Sequence, residues 1–247
     1  MKGMILTAGL GTRLKPLTNK IPKPLIPVAG RPMLDYAVEF LLKHGVNEIV
    51  INVHHLADQL MEYVMEKRWQ GIKMDISDET NELLNTGGGL KHASWFFNGE
   101  TDFVLMASDV LTDLNLSAMI QQHKDSDSLV TLAVKERETS RDLMFDADGN
   151  LAGWKHHSTG ETKMVRGKQP LKGLGFSGIH VINSRLFSLL VEEGAFSIID
   201  LYLRLAETEK IKAYNHSDGQ WMEFGRLENI EGIEKNPDFI KLVNKLT

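Results

Sequence analysis

The segment Gly9-Leu-Gly-Thr-Arg-Leu-Lys-Pro-Leu-Thr-Asn-Lys-Ile-Pro-Lys-Pro-Leu25 gathers two glycines, three prolines and four cations. From Met1 to Leu34 the basic residues are Lys2, Arg13, Lys15, Lys20, Lys23 and Arg31, with no acidic residue among them, in a chain whose formal net charge is −5. Such a loop is built to hold an anion. Gly9 and Gly11 let the backbone come close to a phosphate and turn N–H groups toward it. Pro16, Pro22, Pro24 and Pro27 stiffen the path, so Arg13 and Lys23 lose little freedom when they bind. Three plainer readings compete. A dinucleotide fingerprint needs a third glycine where Leu14 stands, a Walker loop is absent, and a basic loop can be merely solvated.

The overall composition requires any anion site to be local. A pI near 6.0 excludes the broad basic face that nucleic acid or an anionic membrane would need. With no cysteine there is no disulfide, thiolate metal site or cysteine nucleophile, which suits a reducing cytoplasm. No stretch approaches the ~20 apolar residues that span a bilayer, and the opening apolar run is too short for a leader and reads as a first strand.

The elements that must position this loop alternate. Strands are expected at Met4–Thr7, Glu48–Val53, Ile72–Ser77, Phe103–Met106 and Leu129–Val134, and helices at Pro32–His44, Ala57–Trp69, Gly87–Phe97 and Leu116–Lys124. That order predicts an α/β, Rossmann-like, doubly wound mixed sheet, with ligands at the carboxyl ends of its strands. After Lys135 the alternation weakens. A turn at Asp148–Asn150 and the polar run His156–Lys172 suggest a lid or substrate-side β layer, followed by a strand at Gly175–Ile182, a helix at Phe196–Thr208, a strand at Trp221–Phe224 and a helical tail near Pro237. At 247 residues with 42% hydrophobic content one domain is expected, residues 1–110 taking one part of the work and 111–247 the other. No internal repeat is present.

Ala8-Gly-Leu-Gly-Thr-Arg-Leu-Lys-Pro-Leu-Thr18 followed by Pro22-Lys-Pro-Leu25 resembles the signature of the sugar-1-phosphate nucleotidyltransferases. The likeness continues through Gly87-Gly88, Asp109, Phe176-Ser-Gly178 and Trp221–Gly225. Within that family the chain is most similar to the short N-acetylmuramate-1-phosphate uridylyltransferases, through their Thr-Gly-Gly-Gly, Phe-Ser-Gly-Ile and Trp-x-Asp-x-Gly segments. The resemblance implies attack of a sugar-1-phosphate on an NTP, with Arg13 on the leaving pyrophosphate and Lys23 between the two phosphates. It implies nucleotide contacts at Leu6, Ala8, Gly9, Gly11, Thr12, Thr86, Gly87, Gly88 and Ser108, sugar contacts at Ser177 and Gly178, and Mg²⁺ on Asp109 and Glu223. The parts 1–110 and 111–247 would then be the nucleotide and sugar halves.

Plain structural readings stand beside these. Asp109 also reads as a turn or cap aspartate, Thr86–Gly89 as a helix start, and Gly178 as a bulge glycine. Three departures from the family pattern are visible: Glu223 stands where an aspartate is usual, Ser108 where glycine is usual, and Arg226 where threonine is common. They keep open a noncatalytic sugar-nucleotide sensor, while a glycosyltransferase is disfavoured by the intact Gly-Thr-Arg loop. Mannose-1-phosphate with GTP and glucose-1-phosphate with a thymidine nucleotide are the alternative substrate pairs. Other groups are set aside. His54-His55 reads as a polar strand end, His156-His157 as exposed, Asp125-Ser-Asp127 as a turn, and Trp95–Phe97 and Met61–Met65 as core.

Overall fold

In the computed structural model, residues 1–166 and 170–246 are described. The first apolar run becomes β1 (Lys2–Leu6), which leads through three 3₁₀ turns (Thr12–Leu14, Leu17–Asn19, Lys23–Leu25) to the short pair β2 (Pro27–Val28) and β3 (Arg31–Pro32). Then follow α1 (Met33–Lys43), β4 (Glu48–Val53), α2 (Ala57–Lys67), β5 (Lys73–Asp78), α3 (Asn85–His92), β6 (Asp102–Ala107), β7 (Val110–Thr112), α4 (Leu116–Asp125) and β8 (Val130–Lys135). The remainder adds β9 (Arg141–Phe145), β10 (Leu151–His156), β11 (Thr162–Met164), β12 (Lys172–Asn183), α5 (Ile198–Leu205), β13 (Ile211–Asn215), β14 (Trp221–Glu223) and α6 (Pro237–Leu246).

Among the described residues one sheet runs in the order β11-β10-β9-β12-β6-β1-β4-β5, with β8 also on β12 and β13 on β8. The block β6-β1-β4-β5 is parallel. β1, β4 and β6 are apolar nearly end to end, as burial on both faces requires, whereas the edge strand β5 carries Lys73, Asp75 and Asp78. β12 pairs antiparallel with β6, β8 and β9, the antiparallel strands β10 and β11 extend that edge of the sheet, and β13 joins β8 in parallel. The chain is thus a mixed α/β fold whose parallel centre carries the strand ends that matter. Since β1 pairs with β4 on one side and β6 on the other, a crevice opens between the carboxyl ends of β1 and β6.

Several boundaries differ from the sequence expectations for physical reasons. The helix expected to open at Gly87 starts at Asn85 and ends at His92, with Ser94–Phe97 as a separate 3₁₀ turn. The helix expected over Phe196–Thr208 is shorter, because the Ser197 hydroxyl caps it by accepting from the Ile199 and Asp200 amides at 3.2 and 3.5 Å. The weak region after Lys135 contains β9 and β10, with Leu143, Phe145, Leu151 and Ala152 buried. β13 has no counterpart among the sequence expectations, because at five residues it is too short to show a period and Tyr214 breaks its alternation. The expected lid over His156–Lys172 contains the β10–β11 hairpin, and its residues 167–169 lie outside the described residues.

Two apolar clusters cover the two faces of the sheet, and a third lies beneath the basic loop. In the third, Leu14 and Ile26 from the loop pack with Phe224, Phe239 and Leu242, and all five are buried. Each such side chain contributes about 1.5–3 kcal/mol on burial, so the loop is anchored by its own apolar residues while its cations stay outside.

Candidate active site

The crevice at the ends of β1 and β6 is a cavity of about 570 Å³. Of the residues singled out in the sequence, Leu6, Ala8, Gly9, Gly11, Thr12, Lys23, Thr86, Ser108 and Asp109 line it. Gly11 is a position where glycine is needed: its φ is +60°, and a methyl group there would stand 2.6 Å from Thr18 Cγ2 and 3.1 Å from Lys23 Cβ. The Gly11 carbonyl accepts from the Leu14 amide at 2.8 Å and the Thr18 hydroxyl at 3.0 Å, which holds the turn that presents Arg13.

Four charges converge beside the cavity. Lys23 Nζ donates to Asp109 Oδ2 at 2.5 Å, and Arg13 Nη2 donates to Glu223 Oε1 at 3.0 Å. Asp109 is only 6% exposed, whereas the Arg13 side chain is 52% exposed. The two pairs meet at Gly225, where a methyl group would lie 2.5 Å from Glu223 Oε1, 2.8 Å from Arg13 Nη2 and 3.2 Å from Asp109 Oδ2. The Phe224 amide donates to the Asp109 carbonyl at 2.9 Å, so backbone also joins the two carboxylate-bearing segments. The substitution of glutamate at 223 therefore leaves a carboxylate at this meeting point.

Asp109 and Glu223 fit a hard divalent cation, because both offer carboxylate oxygen and both oxygens close on the Gly225 backbone, which only a residue without a side chain lets them approach. Among the described residues no group of three or more His, Asp or Glu could hold a metal by itself. Two protein oxygens suit an ion such as Mg²⁺, which usually draws its remaining ligands from phosphates and water.

Residues 2–143 match the profile of the family described as nucleotidyl transferase. The chain belongs to this family. It is 36% identical to the UTP–glucose-1-phosphate uridylyltransferase of Synechocystis sp. over 55% of this chain and 37% of that one. It is 29% identical to the N-acetylmuramate alpha-1-phosphate uridylyltransferase of Caulobacter vibrioides over 90% of both chains. The chain thus spans well under half the length of the first relative and nearly all of the second. The crystal structure of HddC from Yersinia pseudotuberculosis complexed with GMP-PN superposes with a TM-score of 0.74, at 25% identity, covering 100% of this chain and 99% of that one.

Thr86, Gly87, Gly88, Ser177 and Gly178 make contacts within the protein as well. The amides of Gly87 and Gly88 both point to the Phe196 carbonyl, at 2.9 and 3.4 Å, and neither glycine lines the cavity. Their lack of side chains has a packing cause: a methyl group on Gly87 would strike the Phe196 ring at 2.4 Å, and one on Gly88 the Gly194 carbonyl at 2.4 Å. The Thr86 hydroxyl accepts from the Ile198 amide at 3.0 Å and ties α3 to α5. Ser177 is fully buried, with its hydroxyl 2.8 Å from His216 Nε2, and Gly178 has φ +78° at a bulge of β12 against β8. His54 and His55 bond to the Glu79 and Thr18 carbonyls at 2.7 and 2.8 Å.

Asn52 was missed in the sequence. It lines the cavity, accepts from the Thr7 amide at 2.7 Å, and donates to Glu79 Oε1 at 2.8 Å. Glu79 Oε2 in turn accepts from the Leu84 amide at 3.3 Å, and burial pushes the Glu79 carboxyl above the usual range. This chain fixes the end of β1 to the loop before α3. An asparagine inside the otherwise apolar run Glu48–Val53 was the available signal, since a buried polar side chain needs partners.

A second cavity of about 570 Å³ shares Asn85 with the first. Trp154, Phe176 and Leu203 give it apolar walls, and Arg141, Glu161, Ser197 and the Lys163–Asp200 pair give it polar ones.

Proposed function

We infer that this chain transfers a nucleotidyl group from an NTP to a sugar-1-phosphate, releasing pyrophosphate and an NDP-sugar. The observation that carries this reading is the convergence of Arg13, Lys23, Asp109 and Glu223 around Gly225 at the mouth of a nucleotide-sized cavity. The nucleophile is a phosphate monoester with a second pKa of about 6, so at neutral pH it already carries its charge and needs no general base. One of its oxygens bonds to the α-phosphorus while the bond from that phosphorus to the pyrophosphate oxygen breaks, and the electron pair leaves with pyrophosphate.

The protein's task is to bring two anions together and to absorb charge on the leaving group. Lys23, presented by the rigid loop, stands between the α-phosphate and the incoming phosphate, and Arg13 takes charge building on pyrophosphate. A divalent cation, Mg²⁺ in this reading, would be held by Asp109 and Glu223 and supply further neutralisation of the phosphates. Residues 1–110 take the nucleotide. Residues 111–247 take the acceptor, whose ring fits the second cavity against Trp154 better than the closed Ser177 hydroxyl.

For the substrate pair we take UTP and N-acetylmuramate-1-phosphate, supported by the likeness to the Caulobacter enzyme over nine tenths of both chains. The test is pyrophosphate release from each of the common NTPs with N-acetylmuramate-, mannose- and glucose-1-phosphate. Release with UTP and the muramate ester is expected. Release only with GTP and mannose-1-phosphate, or with a thymidine nucleotide and glucose-1-phosphate, replaces that pair, and nucleotide binding without release in any combination returns the chain to a sensor.

A further inference from the structure

β14 is a three-residue strand that pairs only with the equally short β7 among the described residues, away from the large sheet, yet it carries Glu223. So short a pair has little stiffness of its own. Side chains alternate along a strand, so Trp221 and Glu223 share one face, and what fixes Trp221 also fixes the short backbone that bears Glu223.

That indole is held firmly. Trp221 Nε1 donates to the Ser177 carbonyl at 3.0 Å, and the Arg137 guanidinium lies over the ring at 4.3 Å from its centroid. Arg137 Nη2 donates to the neighbouring Phe176 carbonyl at 2.9 Å. The Ser177 hydroxyl is itself fixed by His216 Nε2 at 2.8 Å. Phe176 and Ser177 occupy the stretch where β12 loses register with β8, the turn being completed by Gly178 at φ +78°. The ladder with β8 is interrupted here, and the bulge turns the Ser177 carbonyl to Trp221 of β14 and leaves the Phe176 carbonyl to Arg137. Burial pushes the Arg137 guanidinium below its usual value, and the carboxylates of Glu223 and Asp142 oppose that shift.

We propose that the bulge at Phe176–Gly178, with Trp221, Arg137 and His216, is a clamp that fixes Glu223 opposite Asp109 and so sets the affinity of the divalent-cation site. Ser177 and His216 are positioning residues in this arrangement, acting on the metal through Trp221 and Glu223. The inference rests on the proposed metal-assisted reaction, in which Glu223 is a ligand. It gives the buried Ser177-Gly178 pair a role that needs no contact with sugar.

Mn²⁺ titrated into the nucleotide-free protein and followed by electron paramagnetic resonance tests it without turnover. Trp221→Phe keeps an aromatic face for Arg137 but removes the N–H together with the pyrrole ring that bears it, and Ser177→Ala loses the hydroxyl that His216 holds. Each is expected to weaken Mn²⁺ binding about 10-fold, the usual scale for a group that orients a ligand. Metal-free nucleotide binding should be unchanged. His216→Gln, whose amide can still reach Ser177, is expected to bind Mn²⁺ near the wild-type level. Glu223→Gln is the control and should weaken binding at least as much as either clamp variant. If Glu223→Gln weakens Mn²⁺ binding and both clamp variants bind as wild type does, the clamp is wrong. If Glu223→Gln itself binds Mn²⁺ normally, the metal assignment beneath the clamp fails and the clamp falls with it. Loss of Mn²⁺ and metal-free nucleotide binding together, in both clamp variants, also overturns it, because that marks general distortion.

Discussion

Lys23 bonds to Asp109 at 2.5 Å, so in the proposed reaction one residue would govern both the phosphate and the cation side of the site. Lys23→Met is expected to lower pyrophosphate release by about 10²-fold or more, the scale for removing one donor from developing negative charge. The same variant should bind Mn²⁺ more tightly in the absence of nucleotide, because Asp109 then has no competing ammonium. Equilibrium dialysis reads the second effect, and a weaker Mn²⁺ site in Lys23→Met would contradict it. Arg13, Lys23 and Asp109 were legible in the sequence because a cationic loop after one strand and a carboxylate after another are local patterns. Ser177 was not, since whether its hydroxyl faces substrate or His216 depends on a bulge that only the register of β12 with β8 reveals. Asn52 was hidden for a related reason: its partners Thr7 and Glu79 come from other strand ends.

At the scale of elements, the bulge and the cavity loop both depend on backbone that L-residues adopt at a cost. In Gly178→Ala the added methyl would occupy φ +78° and stand 3.1 Å from Val110 Cγ2 and 3.3 Å from Ala107 Cβ. The left-handed conformation alone costs about 1–2 kcal/mol, so the melting temperature should fall by roughly 2–8 °C. Thermal melts followed by circular dichroism check this, and an unchanged Tm would show that the bulge relaxes freely. The parallel strands β1, β4 and β6 were readable because burial on both faces gives short, continuous apolar runs between helical patterns. β9 and β10 were harder. They carry Arg141, Asp142 and Lys155, which in sequence blur into the surrounding polar loop. The three 3₁₀ turns of the basic loop have too few residues to show any period, and prolines announce only that the chain must bend.

For the molecule as a whole, stability should depend on pH through buried imidazoles. Burial lowers the pKa of His180 to about 3 and of His216 to about 4, and it moves His123 in the same direction. Each fold-stabilising contribution is complete above the unfolded value of about 6.5 and is lost as pH falls, because the unfolded chain takes up protons that the folded chain refuses. Between about pH 6 and pH 4 each of the two strongly shifted histidines should cost about 1.4 kcal/mol per pH unit. Denaturant unfolding at about pH 7 and about pH 5 measures the loss, and equal stability at the two would refute it. The same scale bears on how ligands approach. The surface as a whole is acidic, and the four converging charges leave the crevice almost without a net field, since each cation is already matched by a carboxylate. Neither loose orthophosphate nor a bare divalent ion finds much attraction there, but a triphosphate arriving with its own counter-ion can exchange partners with both couples at once. Electroneutrality at rest thus biases the crevice toward the chelated nucleotide, with either half alone bound more weakly.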